Sequence, residues 1–145
     1  MTRRYMLDTN TVSHIVKGRS PAARARLAGL SENEIACISV VTEAELLYGL
    51  AKAGGAPKLR LVIEAFLGRI EILTWGRGEA LAYGELRAEQ EATGRTLGNM
   101  DMLIAAHAIA VGAMLVSSHR AFLQVPDLHK TVDWASDLPG ARKAL

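Results

Sequence analysis

Four short apolar runs rich in β-branched residues punctuate this chain: Tyr5–Leu7, Ile35–Val41, Ile70–Leu73 and Met114–Ser117. A weaker run lies near Thr131–Trp134. Between the runs, apolar residues recur with helical spacing over Thr11–Lys17, Pro21–Leu30, Thr42–Ala53, Pro57–Arg69, Gly78–Thr93 and Met100–Val111. Strands alternating with helices predict βαβ units, and therefore parallel strands. The runs are apolar on both faces, so helices must cover both sides of the sheet. The expected fold class is α/β, a mainly parallel sheet of four to five strands flanked by helices. Helix pairs fill two of the crossovers.

No repeat, low-complexity tract or linker interrupts the pattern, and 145 residues suit one domain spanning 1–145. The sharpest break is "KAGGAPK", where Gly54 and Gly55 stop one helix and Pro57 starts the next. A second loop is expected at "EATGRTLGN". Cys37 is the only cysteine, which excludes an intrachain disulfide and a thiolate zinc cage. Its apolar surroundings predict a buried, inert thiol and agree with a cytoplasmic location. No run approaches the roughly 20 apolar residues of a membrane helix, so no membrane association is expected. The net charge of +2 permits an anionic partner without demanding one.

In parallel α/β sheets, ligands bind at the carboxyl ends of the strands. Three acids are expected there. Asp8 ends the first run, and Glu45 lies in the first turn of the helix after Ile35–Val41. Asp101 lies in the first turn of "NMDMLIAAHAIAV". That helix must descend to the start of "MLVSS", so it begins at the edge where strands end. The same edge receives Ser117, Ser118 and His119.

Each acid has a local explanation as well. Asp8 or Asn10 suits a helix N-cap. Thr42 and Glu45 have the spacing of a capping box. Asp101, behind Asn99 as N-cap, complements a helix dipole. As a set they are harder to explain locally. Asp101 is the only charge between Arg95 and His107, in a helix apolar on nearly every side. Carboxylates are rarely buried unpaired. Three gathered carboxylates repel one another unless a cation lies among them. Oxygen ligands alone suit Mg²⁺ or Mn²⁺.

Other residues fit less well. Zinc would need more than scattered His14, His107, His119 and His129. His107 stands roughly 240° round the helix from Asp101 and reads as a packing residue. Glu43 stands roughly 200° from Glu45, so both cannot face one site. Glu79, Glu85, Glu89 and Glu91, interspersed with Arg87, read as a solvated helix face.

The blocks "YMLDTN", "SVVTEAELLYG", "GNMDMLIAAHA" and "LVSSHRAFLQVPDL" with "VDW" occur in the order seen in PIN domains. The chain resembles in particular the VapC-type toxins of bacterial toxin–antitoxin pairs. The resemblance implies a three-layer α/β/α fold and an endoribonuclease dependent on Mg²⁺ or Mn²⁺. It maps the catalytic and metal-holding acids to Asp8, Glu45 and Asp101. It further implies RNA cleavage, tRNA being the expected class, and inhibition by a VapB-type antitoxin. A homodimer is implied too, or a larger assembly with the antitoxin.

The departure is in "SSHRAF". Many relatives place aspartate or asparagine where His119 stands, and a gapped alignment puts a glutamate of some relatives at Ala121. Either way a fourth acid is missing. Three acids suffice for one metal with Ser117 or His119 orienting from behind, or His119 binds Mn²⁺ directly, or the second metal position is lost. The last case gives the alternative function, a weakened PIN-like module that binds RNA or an antitoxin partner without efficient cleavage. Asn10 and Thr42 are candidates to orient the acids or their waters. Arg3, Arg4, Lys17, Arg19, Arg95 and Arg120 are candidate RNA-binding cations near the rim.

Overall fold

The computed structural model describes residues 1–95, 97–128 and 131–135; His129 lies outside them. Its strands are β1 (Arg3–Leu7), β2 (Glu34–Ser39), β3 (Glu71–Leu73) and β4 (Met114–Val116). The helices are α1 (Thr9–Val16), α2 (Pro21–Ala28), α3 (Val40–Lys52), α4 (Pro57–Leu67), α5 (Arg77–Ala92) and α6 (Asn99–Val111). A short 3₁₀ turn follows β4 at Arg120–Gln124. No helix among the described residues is long and apolar enough to cross a membrane.

All strand pairs are parallel, in the order β3-β2-β1-β4. The expected fifth strand is reduced to a single parallel bridge between Val116 and Val132. Alternate residues of each strand enter opposite cores. Met6, Cys37 and Leu115 pack with α5 and α6 on one face, through Leu86, Met102, Ile104, Ala105 and Ala108. Tyr5, Leu7, Ile38 and Val116 pack with α1 to α4 on the other, through Val12, Ala23, Leu46 and Ile63. This is the three-layer arrangement that the doubly apolar runs require. Each fully buried aliphatic side chain contributes about 1.5–3 kcal/mol, so neither helical layer can be dispensed with. Burial pushes the Cys37 thiol up to about 12, in keeping with an inert core residue.

Helix boundaries follow capping chemistry more than apolar pattern. At the break in "KAGGAPK", Gly54 and Gly55 take φ of 73° and 70°, and Pro57 opens α4. The run Ile35–Val41 is cut short because Ser39 caps α3: its side chain accepts from the Val41 N–H, which makes Val40 and Val41 helical. Thr42 is therefore inside the helix and forms no capping box with Glu45, which falls in the second turn. The reciprocal contact occurs on α5 instead, where the Glu79 side chain accepts from the Gly76 N–H at 2.9 Å. Gly98, not Asn99, is the N-cap of α6.

Chain order places the site. From β1 the chain steps to β2 and β3 on one side, then α5 and α6 return it to β4 on the other side of β1. The direction of winding thus reverses between β1 and β4, which opens a crevice at their carboxyl ends.

Candidate active site

Asp8 stands at that crevice. Its backbone N–H donates to the Val116 carbonyl at 3.0 Å, which ties the end of β1 to the end of β4. Its side chain is 3% exposed, and Oδ1 accepts from the Thr11 N–H at 2.9 Å. So Asp8 does cap α1, while Asn10 is exposed on the first turn. Capping uses one oxygen of two, and Oδ2 has no hydrogen bond among the described residues.

Thr9 links this point to α3. Its Oγ1 donates to Glu45 Oε1 at 2.7 Å and lies 3.2 Å from Thr42 Oγ1. A hydroxyl carries one proton, so with Thr9 donating to Glu45 the fully buried Thr42 donates to Thr9. The contact leaves Glu45 Oε2 without a hydrogen bond among the described residues. Sequence reasoning passed over Thr9. The visible signal was a hydroxyl directly after the first acid in "DTNT"; its partner 36 residues away was not visible.

Asp101 comes to the same edge through β4. Beyond Val116, the buried Ser117 accepts from the His119 N–H at 2.9 Å, which folds the loop back toward α6. His119 Nδ1 then lies 3.0 Å from Asp101 Oδ2. The imidazole stands edge-on to Phe122 at 5.6 Å, held by a buried ring. His119 thus lies against Asp101. A further carboxylate reaches this edge unforeseen: beside the Val132 bridge, Asp133 Oδ1 accepts from Ser118 Oγ at 3.2 Å and from the Ala135 N–H at 3.0 Å.

The cations divide sharply. Arg3 and Arg4 open β1 and so lie at the opposite, amino edge, where Arg4 pairs with Glu71. Lys17 and Arg19 follow the far end of α1, which starts at the acids and leads away from them. These four are not near the rim, because a strand start and a helix end both face away from a carboxyl edge. Arg95 Nη1 donates to the Gln124 carbonyl at 2.6 Å, pinning the loop before α6 to the turn after β4. Arg120 begins that turn and is exposed.

The donors suit a hard cation. All are carboxylate oxygens, from elements that meet only in the fold, and none of the three acids pairs with lysine or arginine among the described residues. Yet among those residues no group of three or more His, Cys, Asp or Glu stands close enough to form a ready cage. A groove of about 720 Å³ lies elsewhere, between α1, α2, α4 and the starts of β2 and β3, lined by Val16, Leu27, Ala36, Val62 and Phe66.

Known proteins agree with this layout. The PIN domain family matches residues 5–128. The chain is 37% identical over 125 residues to ribonuclease VapC2 of Rickettsia felis, covering 86% of this chain and 93% of that one. It is 36% identical over 133 residues to the tRNA(fMet)-specific endonuclease VapC of Shigella flexneri, covering 91% and 98%. It superposes with a TM-score of 0.85 on a chain of the VapBC2 crystal structure from Rickettsia felis bound to a promoter DNA fragment, at 35% identity over 90% of this chain and 98% of that one. The crevice acids, the sheet order and this full-length similarity make the chain a member of the PIN-domain family, of its VapC type.

Proposed function

We propose that the chain is a metal-dependent endoribonuclease, the toxin of a type II pair, which cleaves RNA and is restrained by a VapB-type antitoxin. The reading rests on Asp8 at the end of β1 and Asp101 in the first turn of α6, with Glu45 tied to Thr9 beside Asp8, none of them paired with lysine or arginine among the described residues, in a fold shared with named ribonucleases. By analogy with the Shigella flexneri relative, tRNA is the substrate class.

Asp8, Asp101 and Glu45 would hold Mg²⁺ or Mn²⁺, which when bound supplies an activated water and neutralises charge developing on the phosphate. The chain's own residues position these acids. The Thr11 N–H fixes one oxygen of Asp8, leaving the other for a metal. Thr9 does the same for Glu45. His119 donates through Nδ1 to Asp101, with Ser117 setting the His119 backbone. Arg120 is the exposed cation best placed to meet an RNA phosphate, whereas Arg95 is engaged in holding the rim loop.

Cleavage of initiator tRNA in Mg²⁺ or Mn²⁺ tests the proposal, with Asp8→Asn, Glu45→Gln and Asp101→Asn beside the wild type. Wild-type rates in all three variants would overturn it. The resemblance leaves a second reading, a weakened module that binds RNA or antitoxin, because a histidine and not a fourth acid stands at position 119. Tight tRNA binding without turnover in millimolar Mn²⁺ would select it.

A further inference from the structure

Beneath the acid edge, a buried polar pair joins two of the elements that carry it. His107 on α6 is fully buried, and its Nδ1 lies 2.7 Å from Ser39 Oγ. Ser39, also fully buried, closes β2 and caps α3 by accepting from the Val41 N–H at 3.1 Å. The imidazole stands edge-on to Trp75, with centroids 5.6 Å apart and planes at 82°. Its Nε2 is buried without a hydrogen-bond partner among the described residues. Burial lowers the pKa of His107 and Glu79 opposes that weakly, so the ring is neutral near pH 7.

This is an expensive way to fill a core. Whichever tautomer forms, Nε2 remains an unsatisfied donor or acceptor, which costs stability. A leucine of similar volume would avoid that penalty, so stability does not account for the histidine. The hydrogen bond instead supplies direction. It fixes the rotamer of a serine already engaged at the first turn of α3. It also sets how far α6 can slide or rotate against that turn, since α3 and α6 pack together.

We infer that His107 is a positioning residue: through Ser39 it holds the N-terminal end of α3, which carries Glu45, in register with α6, which carries Asp101. The inference rests on the reading of those acids as metal-holding. Loss of a group that orients ligands from behind typically costs 10–100-fold. His107 acts through two covalent segments, so the low end applies.

The test combines calorimetric titration with Mn²⁺ alone and cleavage of initiator tRNA, on His107→Leu, His107→Asn, Ser39→Ala and Asp101→Asn. His107→Leu should melt at or above the wild-type temperature, bind Mn²⁺ about tenfold more weakly, and lose kcat at unchanged KM. His107→Asn, whose amide reaches the Nδ1 position, should restore both. Ser39→Ala should match His107→Leu in Mn²⁺ affinity and kcat while melting lower, because the α3 cap is lost as well, and carries the test if the leucine variant does not fold. If His107→Leu and Ser39→Ala titrate like the wild type while Asp101→Asn does not, the positioning role is wrong. If Asp101→Asn also titrates like the wild type, the metal reading fails and takes this inference with it.

Discussion

Asp8 illustrates how one carboxylate serves the fold and the site together. Oδ1 caps α1 and Oδ2 is left over. Asparagine caps as well as aspartate but brings no charge. Asp8→Asn should therefore keep or raise the melting temperature while cleavage falls by on the order of a hundredfold, as when other electrostatic stabilisers of a transition state are removed. Asp8→Ala should lose both activity and about 1 kcal/mol of stability. Thermal melts beside tRNA cleavage separate the two effects, and equal activity of Asp8→Asn and wild type would refute the catalytic role. Thr9 offers a second case. Thr9→Val keeps the shape but removes the donor to Glu45 Oε1. Activity should fall about tenfold, and Thr9→Ser should recover it. The places of Asp8 at a strand end and Asp101 at a helix start were readable from chain order, because both follow from where a strand stops and a helix begins. Thr9 and Asp133 were not, because their partners are brought by register and by a bridge between distant segments.

At the scale of the element, helix ends explain where pattern and structure part. Val40 and Val41 look like strand because β-branched residues favour sheets. Ser39 nevertheless satisfies the Val41 N–H and starts the helix two residues earlier than the pattern implies. A cap contributes about 1 kcal/mol, enough to outweigh the small propensity differences of two valines. The other end of α6 shows the converse. Gly112 closes it in the left-handed region at φ 67°. Gly112→Ala should cost about 1 kcal/mol, read as a lower denaturant midpoint. Mn²⁺ affinity should be unchanged, because the strain sits at the end of α6 remote from Asp101. A midpoint equal to wild type would show that the turn relaxes elsewhere.

Across the whole molecule, the amino edge of the sheet is bound by charge while the carboxyl edge is left acidic. Tyr5, Arg26, Glu34 and Trp134 form one cluster: Arg26 pairs with Glu34 at 3.0 Å and lies over both aromatic rings at 5.4 Å. The Arg26 hydrogen bond, with the Ser31 N–H and Tyr5 hydroxyl, lowers the Glu34 pKa from 4.5 to about 2. A depressed folded-state value means that the unfolded chain takes up this proton first as pH falls. The stabilisation from Glu34 is thus complete above about 4.5 and lost as pH falls towards 2. Glu34→Gln should flatten that part of the stability–pH curve, as urea titrations across the interval would show. An unchanged slope would refute the assignment. The sequence by itself determined the alternation of elements, the two helical layers and which acids stand at a strand end or helix start. These depend on local spacing and on burial of both sheet faces, which are written in consecutive residues. The tertiary structure alone decided that β4 lies beside β1, that His119 backs Asp101 and that Arg3, Arg4, Lys17 and Arg19 face away. Those outcomes depend on which distant segments pair, and pairing is settled by packing across the sheet rather than by neighbours along the chain.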